Sequence, residues 1–114
     1  MSFRDVIGWK KGIDLVVKLY KFADSLPATE KYGLARQITR AAVSIPSNVA
    51  EGYARNSRIE YAHFVDIALG STREIQTQLE ICRRLGFGDP TNEIELAEEE
   101  ARILLALSRS LRKE

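Results

Sequence analysis

"RAAVSIPSNVAEGYARNS", residues 40–57, sets a proline in the middle of what otherwise reads as a helix. Leu34, Ile38, Ala42, Ile45 and Val49 advance in three- and four-residue steps toward Tyr53, the spacing of one buried helical face. That phase survives passage through Pro46, whereas a chain break would usually reset it. The spacing therefore favours one long second helix with Pro46 inside it. An interior proline costs about 3 kcal/mol, because the carbonyl of Ala42 loses its amide partner and is crowded by the ring. A kink at that turn is the expected consequence. The alternative is two short helices joined at "SIPSN", with Ser44 as the cap and Pro46 in a first turn.

The flanking segments supply three more helices. From Asp5 to Leu26, Val6, Trp9, Ile13, Val16, Tyr20 and Ala23 form one apolar stripe, and Leu15, Leu19, Phe22 and Leu26 form another beside it. Two stripes exceed what a single bundle core needs, so a neighbouring subunit is expected to cover the surplus. "LPATEKYG" stops this helix, with Thr29 as the expected cap of the second and Glu30 at its positive end.

After "GYARNS", Ser57 and Glu60 have capping-box spacing, which starts a third helix near Arg58. Its core face reads Tyr61, Phe64, Val65, Ala68, Ile75, Leu79 and Cys82. "LGFGDPTN" ends it, and Thr91 or Asn92 is the expected cap of the fourth. That helix opens on acids (Glu93, Glu95, Glu98, Glu99 and Glu100) and closes on Arg109, Arg112 and Lys113, as the helix dipole favours. Ile94, Ala97, Ala101, Leu104, Leu105, Ser108 and Leu111 make its apolar face. Nothing reads as a strand, and the connections are short. The fold class is all-α: residues 1–114 form one antiparallel up-down-up-down four-helix bundle with its second helix kinked at Pro46.

A second face of the proline helix is polar. Arg40, Ser44, Asn48, Glu51 and Arg55 form one continuous line. If the second and third helices turn near Asn56 and Ser57, Arg40 lies level with Arg73 and Glu74, and Ser44 with Leu69 and Gly70. The expected arrangement is a structural polar seam of Arg40, Ser44, Asn48, Glu51 and Glu74 that fixes register, with an Arg40–Glu74 ion pair. A ligand or nucleic-acid site at the kink is the sharper alternative.

At 114 residues with 29% charged and 45% hydrophobic side chains, the chain suits one globular domain. Net charge is +1, with residues 93–114 carrying four bases against six acids, so no global field draws it to nucleic acid or anionic lipid. One cysteine and one histidine leave no cysteine-rich zinc set and no histidine-based metal or catalytic cluster. Cys82 reads as a core residue, His63 as a surface one and Trp9 as a core or interface anchor. "GFGDP" lacks the lysine and length of a phosphate loop. No catalytic residue, cofactor, metal or small-molecule substrate is predicted. The N-terminus lacks a signal-peptide run and no stretch reaches membrane-spanning length, so a cytoplasmic location is expected.

Residues 30–87 closely resemble the four-helix-bundle proteins encoded within intervening sequences of bacterial 23S ribosomal RNA genes. The matching stretches are "QITRAAVSIPSNVAEG", "EYAHFVDIALGS" and "EIQTQL", and the leading "SLPATEKYGL", from Ser25, fits too. This resemblance implies a ring-like homopentamer but does not imply an activity, since the family has no established biochemical function. The accessory variability proteins of diversity-generating retroelements are similar in fold and bind a reverse transcriptase and nucleic acid, but they are markedly more basic. Two expectations result. One is a non-enzymatic oligomeric scaffold whose assembled surface binds a protein partner or nothing yet known. The other is an RNA- or DNA-binding accessory protein with Lys31, Arg36, Arg55, Arg58, Arg83 and Arg84 as candidate contacts.

Overall fold

The computed structural model describes residues 1–113. After a 3-10 turn at Phe3–Asp5, closed by a Ser2–Asp5 capping box, four α-helices follow. They are α1 (Ile7–Asp24), α2 (Leu34–Tyr53), α3 (Arg58–Leu85) and α4 (Thr91–Leu111). They pack into a rod of 47 × 19 × 18 Å. No strand occurs among the described residues. Ser44 of α2 meets Ser71 of α3, and nearer the turn Tyr53 meets Tyr61. Between α3 and α4 the pairs are Asp66 with Ser108 and Arg58 with Leu111. Between α1 and α4, Gly8 approaches Leu104 and Gly12 approaches Glu100. Numbers rise on one helix as they fall on the other, so these neighbours run in opposite directions.

Pro46 lies inside an unbroken α2, which removes the alternative of two short helices. The core forms where the apolar spacing placed it: Ile38, Ala42, Ile45, Val49, Val65, Ala68, Ile75, Leu79, Cys82 and Leu104 are each 0% exposed. Burying a side chain such as Ile38 or Leu79 stabilises by about 1.5–3 kcal/mol. In α1 the inner stripe is Leu15, Leu19 and Phe22, with Leu26 just beyond the helix. The other stripe divides. Trp9 and Val16 are half-buried, Trp9 packing edge-on against Phe3, whereas Ile13 and Tyr20 are exposed together with Val17.

Two caps differ from expectation. Thr29 does not start α2, because Ala28–Glu30 is a 3-10 turn and the helix begins at Leu34. There the Leu34 amide donates to Glu30 Oε1 at 3.2 Å, so the acid anticipated near the positive end is the group that closes it. Thr91 and Asn92 lie within α4 rather than before it. Asp89 serves that end instead, accepting from the Thr91 amide at 3.1 Å and from its hydroxyl at 2.6 Å. Both bonds favour the ionised Asp89 and hold its carboxyl below the usual range. α3 starts as anticipated, with Ser57 Oγ accepting from the Glu60 amide. It ends on Gly86, whose φ of 75° suits glycine.

Candidate binding surfaces

The polar line of α2 assembles in part. Ser44 and Ser71 hydroxyls share a bond of 2.8 Å, and Asn48 Nδ2 donates to the Ser44 carbonyl at 2.8 Å and to its Oγ at 2.9 Å. Ser44 therefore meets a residue one or two positions beyond the level Leu69–Gly70. Side chains lean toward their own helix N-terminus, so on antiparallel helices both partners sit one residue further along than their level. Glu51 turns outward and pairs with Arg55 at 2.8 Å. The Arg40–Glu74 ion pair does not form among the described residues. Both side chains are exposed and line a shallow cavity of about 380 Å³ with Gln37, Ala41, Ser44, Ser71 and Gln78. Gln78 is 8% exposed, and its Oε1 has no partner. The groove is thus polar along its floor and open to solvent.

The six basic candidates scatter. Arg83 and Arg84 both grip Glu80, and their hydrogen bonds hold its carboxyl below the usual range. Arg55 pairs with Glu51 and lies 4.7 Å from the Phe64 ring centre. Arg58 donates to the Ser110 and Leu111 carbonyls, tying the start of α3 to the end of α4. Lys31 and Arg36 share a cavity of about 500 Å³ where α1 passes into α2, with Tyr20 and Tyr32 on its wall. Lys31 Nζ sits 5.5 Å from the Tyr32 ring centre, within cation–π reach.

Glu100 escaped the sequence reading. It is 1% exposed, and neither carboxyl oxygen has a hydrogen-bond partner. Burial, then the nearby Glu99, pushes its carboxyl up to about 8, against an opposing pull from Lys11. The signal was present: Glu100 lies three residues after Ala97 and four before Leu104, in phase with the core. The acidic run around it read as a solvated first turn instead. His63 is exposed and packs edge-on to Phe64, while Cys82 is buried, and burial raises its thiol. No set of three metal-ligating side chains clusters among the described residues, and no described helix is long and apolar enough to cross a membrane.

The fold is an all-helical bundle with a polar groove between α2 and α3 and an exposed apolar stripe on α1. The profile of the 23S rRNA-intervening sequence protein family matches residues 4–109, and the chain belongs to that family. The fold is similar to a crystal structure of a protein of unknown function from the S23 ribosomal protein family of Bacteroides thetaiotaomicron. That likeness has a TM-score of 0.82 at 21% identity and covers 93% of this chain and 98% of the other. No curated protein matches the sequence.

Proposed function

We propose that this protein is a non-enzymatic homo-oligomeric scaffold whose subunits join through the outer face of α1. The observation that carries this reading is the apolar stripe of Ile13, Val17 and Tyr20, exposed by 37%, 50% and 49%. Clustered apolar side chains on one helix face mark a contact surface, and a second subunit that covered them would remove that area from water. Five subunits follow from the resemblance alone. Light scattering at micromolar concentration tests the reading. The wild type is expected at a multiple of 12.9 kDa, and Ile13→Asp with Val17→Asp at one subunit with helicity retained. A monomeric wild type overturns it.

A second reading, binding of single-stranded nucleic acid, draws support from Lys31, Arg36, Tyr20 and Tyr32 on one cavity. Bases stack on aromatic rings while phosphates meet the cations. Binding of this kind weakens steeply with salt, because bound counterions are released. Lys31→Glu with Arg36→Glu should abolish retention of a single-stranded RNA at low salt, whereas Arg83→Glu should weaken it little. Failure of the wild type to bind RNA at low salt, up to high micromolar protein, removes this reading and leaves the scaffold.

A further inference from the structure

We propose that Glu100 is a neutral carboxylic acid that donates its O–H to the backbone carbonyl of Ala42, the acceptor that Pro46 deprives of an amide partner. A buried carboxylate accepts only, and needs donors around it; the protonated acid carries a donor and needs an acceptor. Glu100 has no donor on either oxygen. On α2, Pro46 is buried and Ala42, four residues earlier, is 0% exposed, so bulk solvent does not reach the carbonyl that the proline leaves without an amide. Two unmet needs thus stand in one core, and each is the complement of the other.

Gly12 of α1 brings them together. A Cβ at that position would stand 2.9 Å from Glu100 Oε2, 3.4 Å from Ile45 Cγ2 and 3.5 Å from Pro46 Cβ. The carboxyl and the proline ring therefore border the same point, and the absent side chain leaves room for the acid. A helical carbonyl points toward the nitrogen four residues on, which directs the Ala42 oxygen at the Pro46 turn. The charges acting on Glu100 are Glu99 of its own helix, which disfavours ionisation, and Lys11 of α1, which favours it and lies 3.5 Å from Glu99. α2 faces the site with Ile45 and Pro46, and no charged group of α2 or α3 contributes.

This arrangement makes the core sensitive to protons. The folded-state value of Glu100, about 8, lies above its ordinary 4.5. Below about 4.5 both folded and unfolded chains hold the proton, and its stabilisation is fully present. Between there and about 8 only the folded chain keeps it, so the unfolding constant rises by up to tenfold per pH unit. Above that, the folded chain loses the proton too, and the loss levels off.

NMR of carboxyl-labelled protein tests the proposal. Burial and Glu99 alone push Glu100 up to about 8, and a bond from its neutral form to Ala42 raises it further, so its midpoint is expected above that value, with the Ala42 carbonyl resonance moving at the same midpoint while that of Val43 does not. Pro46→Ala returns an amide to Ala42 and should lower the Glu100 midpoint by about one unit or more, because the neutral form then loses its acceptor. Glu100→Gln retains a donor and should flatten the pH dependence, while Glu100→Leu flattens it with a lower denaturant midpoint at pH 5. Titration of Glu100 in the ordinary carboxylate range overturns the proposal. So does an Ala42 carbonyl that ignores the titration, a reading that needs no variant to fold.

Discussion

Ser44 and Ser71, on different helices and 27 positions apart, bond hydroxyl to hydroxyl at 2.8 Å, and Asn48 donates to the same Ser44 oxygen. Ser71 is 7% exposed, so its hydroxyl has little access to water if this bond is lost. Ser44→Ala should cost about 1–3 kcal/mol in urea unfolding, since it leaves a buried polar group unmet. Ser44→Ala with Ser71→Ala should cost less than the two single changes together. Additive losses would show that the contact carries no energy.

Arg40 and Glu74 should behave differently. Exposed and unpaired with each other, they contribute little, and each alanine substitution should change stability by no more than about 0.5 kcal/mol. Their double-mutant cycle should be additive. A coupling near that of a buried pair, about 3–5 kcal/mol, would show that the two side chains close over the groove in solution.

Glycine substitutions separate tight helix contacts from open ones. A Cβ on Gly52 would meet Phe64 Cβ at 2.8 Å and the Tyr61 carbonyl at 3.1 Å, and backbone cannot swing aside. Gly52→Ala should destabilise by about 1–3 kcal/mol. Gly70, also within a helix, has nothing within 4 Å. Gly70→Ala should stabilise the subunit by about 0.5–1 kcal/mol through helix propensity. Thermal unfolding of both variants should give shifts of opposite sign.

The bend at Pro46 is a prediction for solution measurement. α2 is continuous through it, yet one ladder bond is missing and the ring crowds the Ala42 carbonyl. Residual dipolar couplings should give axes for residues 34–45 and 47–53 that differ by about 20° or more. A single straight axis would show that the packed core absorbs the strain elsewhere.

Helix number, order and most of the core were legible because the apolar positions of α2, α3 and α4 each form one stripe. α1 was ambiguous for the opposite reason: two adjacent stripes are both apolar, and only packing against α2 and α4 selects Leu15, Leu19 and Phe22 as the inner one. Caps were less legible. Thr29 and Thr91 have capping side chains, but 3-10 geometry and a preceding Asp89 moved the work to Glu30 and Asp89. In the polar seam, helix pairing placed Ser44 level with Leu69 and Gly70, one or two positions short of its partner Ser71. The Arg40–Glu74 pair did not, because long flexible side chains at the same level need not meet. Glu100 was hidden by its neighbours, since a run of three acids looks solvated even when one of them is in phase with Ala97 and Leu104.

α1 and α3 stand diagonally across the bundle, each flanked by α2 and α4. The outer side of α1 bears Ile13, Val17 and Tyr20, and exposed positions of α3 include Ile67 and Ile81. The two helices thus offer unlike surfaces on different sides of the rod. A contact between two copies of the same face pairs subunits and then stops, whereas head-to-tail joining of unlike faces continues until rotation closes it. An odd-numbered cyclic assembly requires the second kind. If α1 of one subunit seats on α3 of the next, a charge placed at Val17 and a charge placed at Ile67 should each block closure. Mixing the two variants should then yield dimers capped at both ends, because each retains the face that the other has lost.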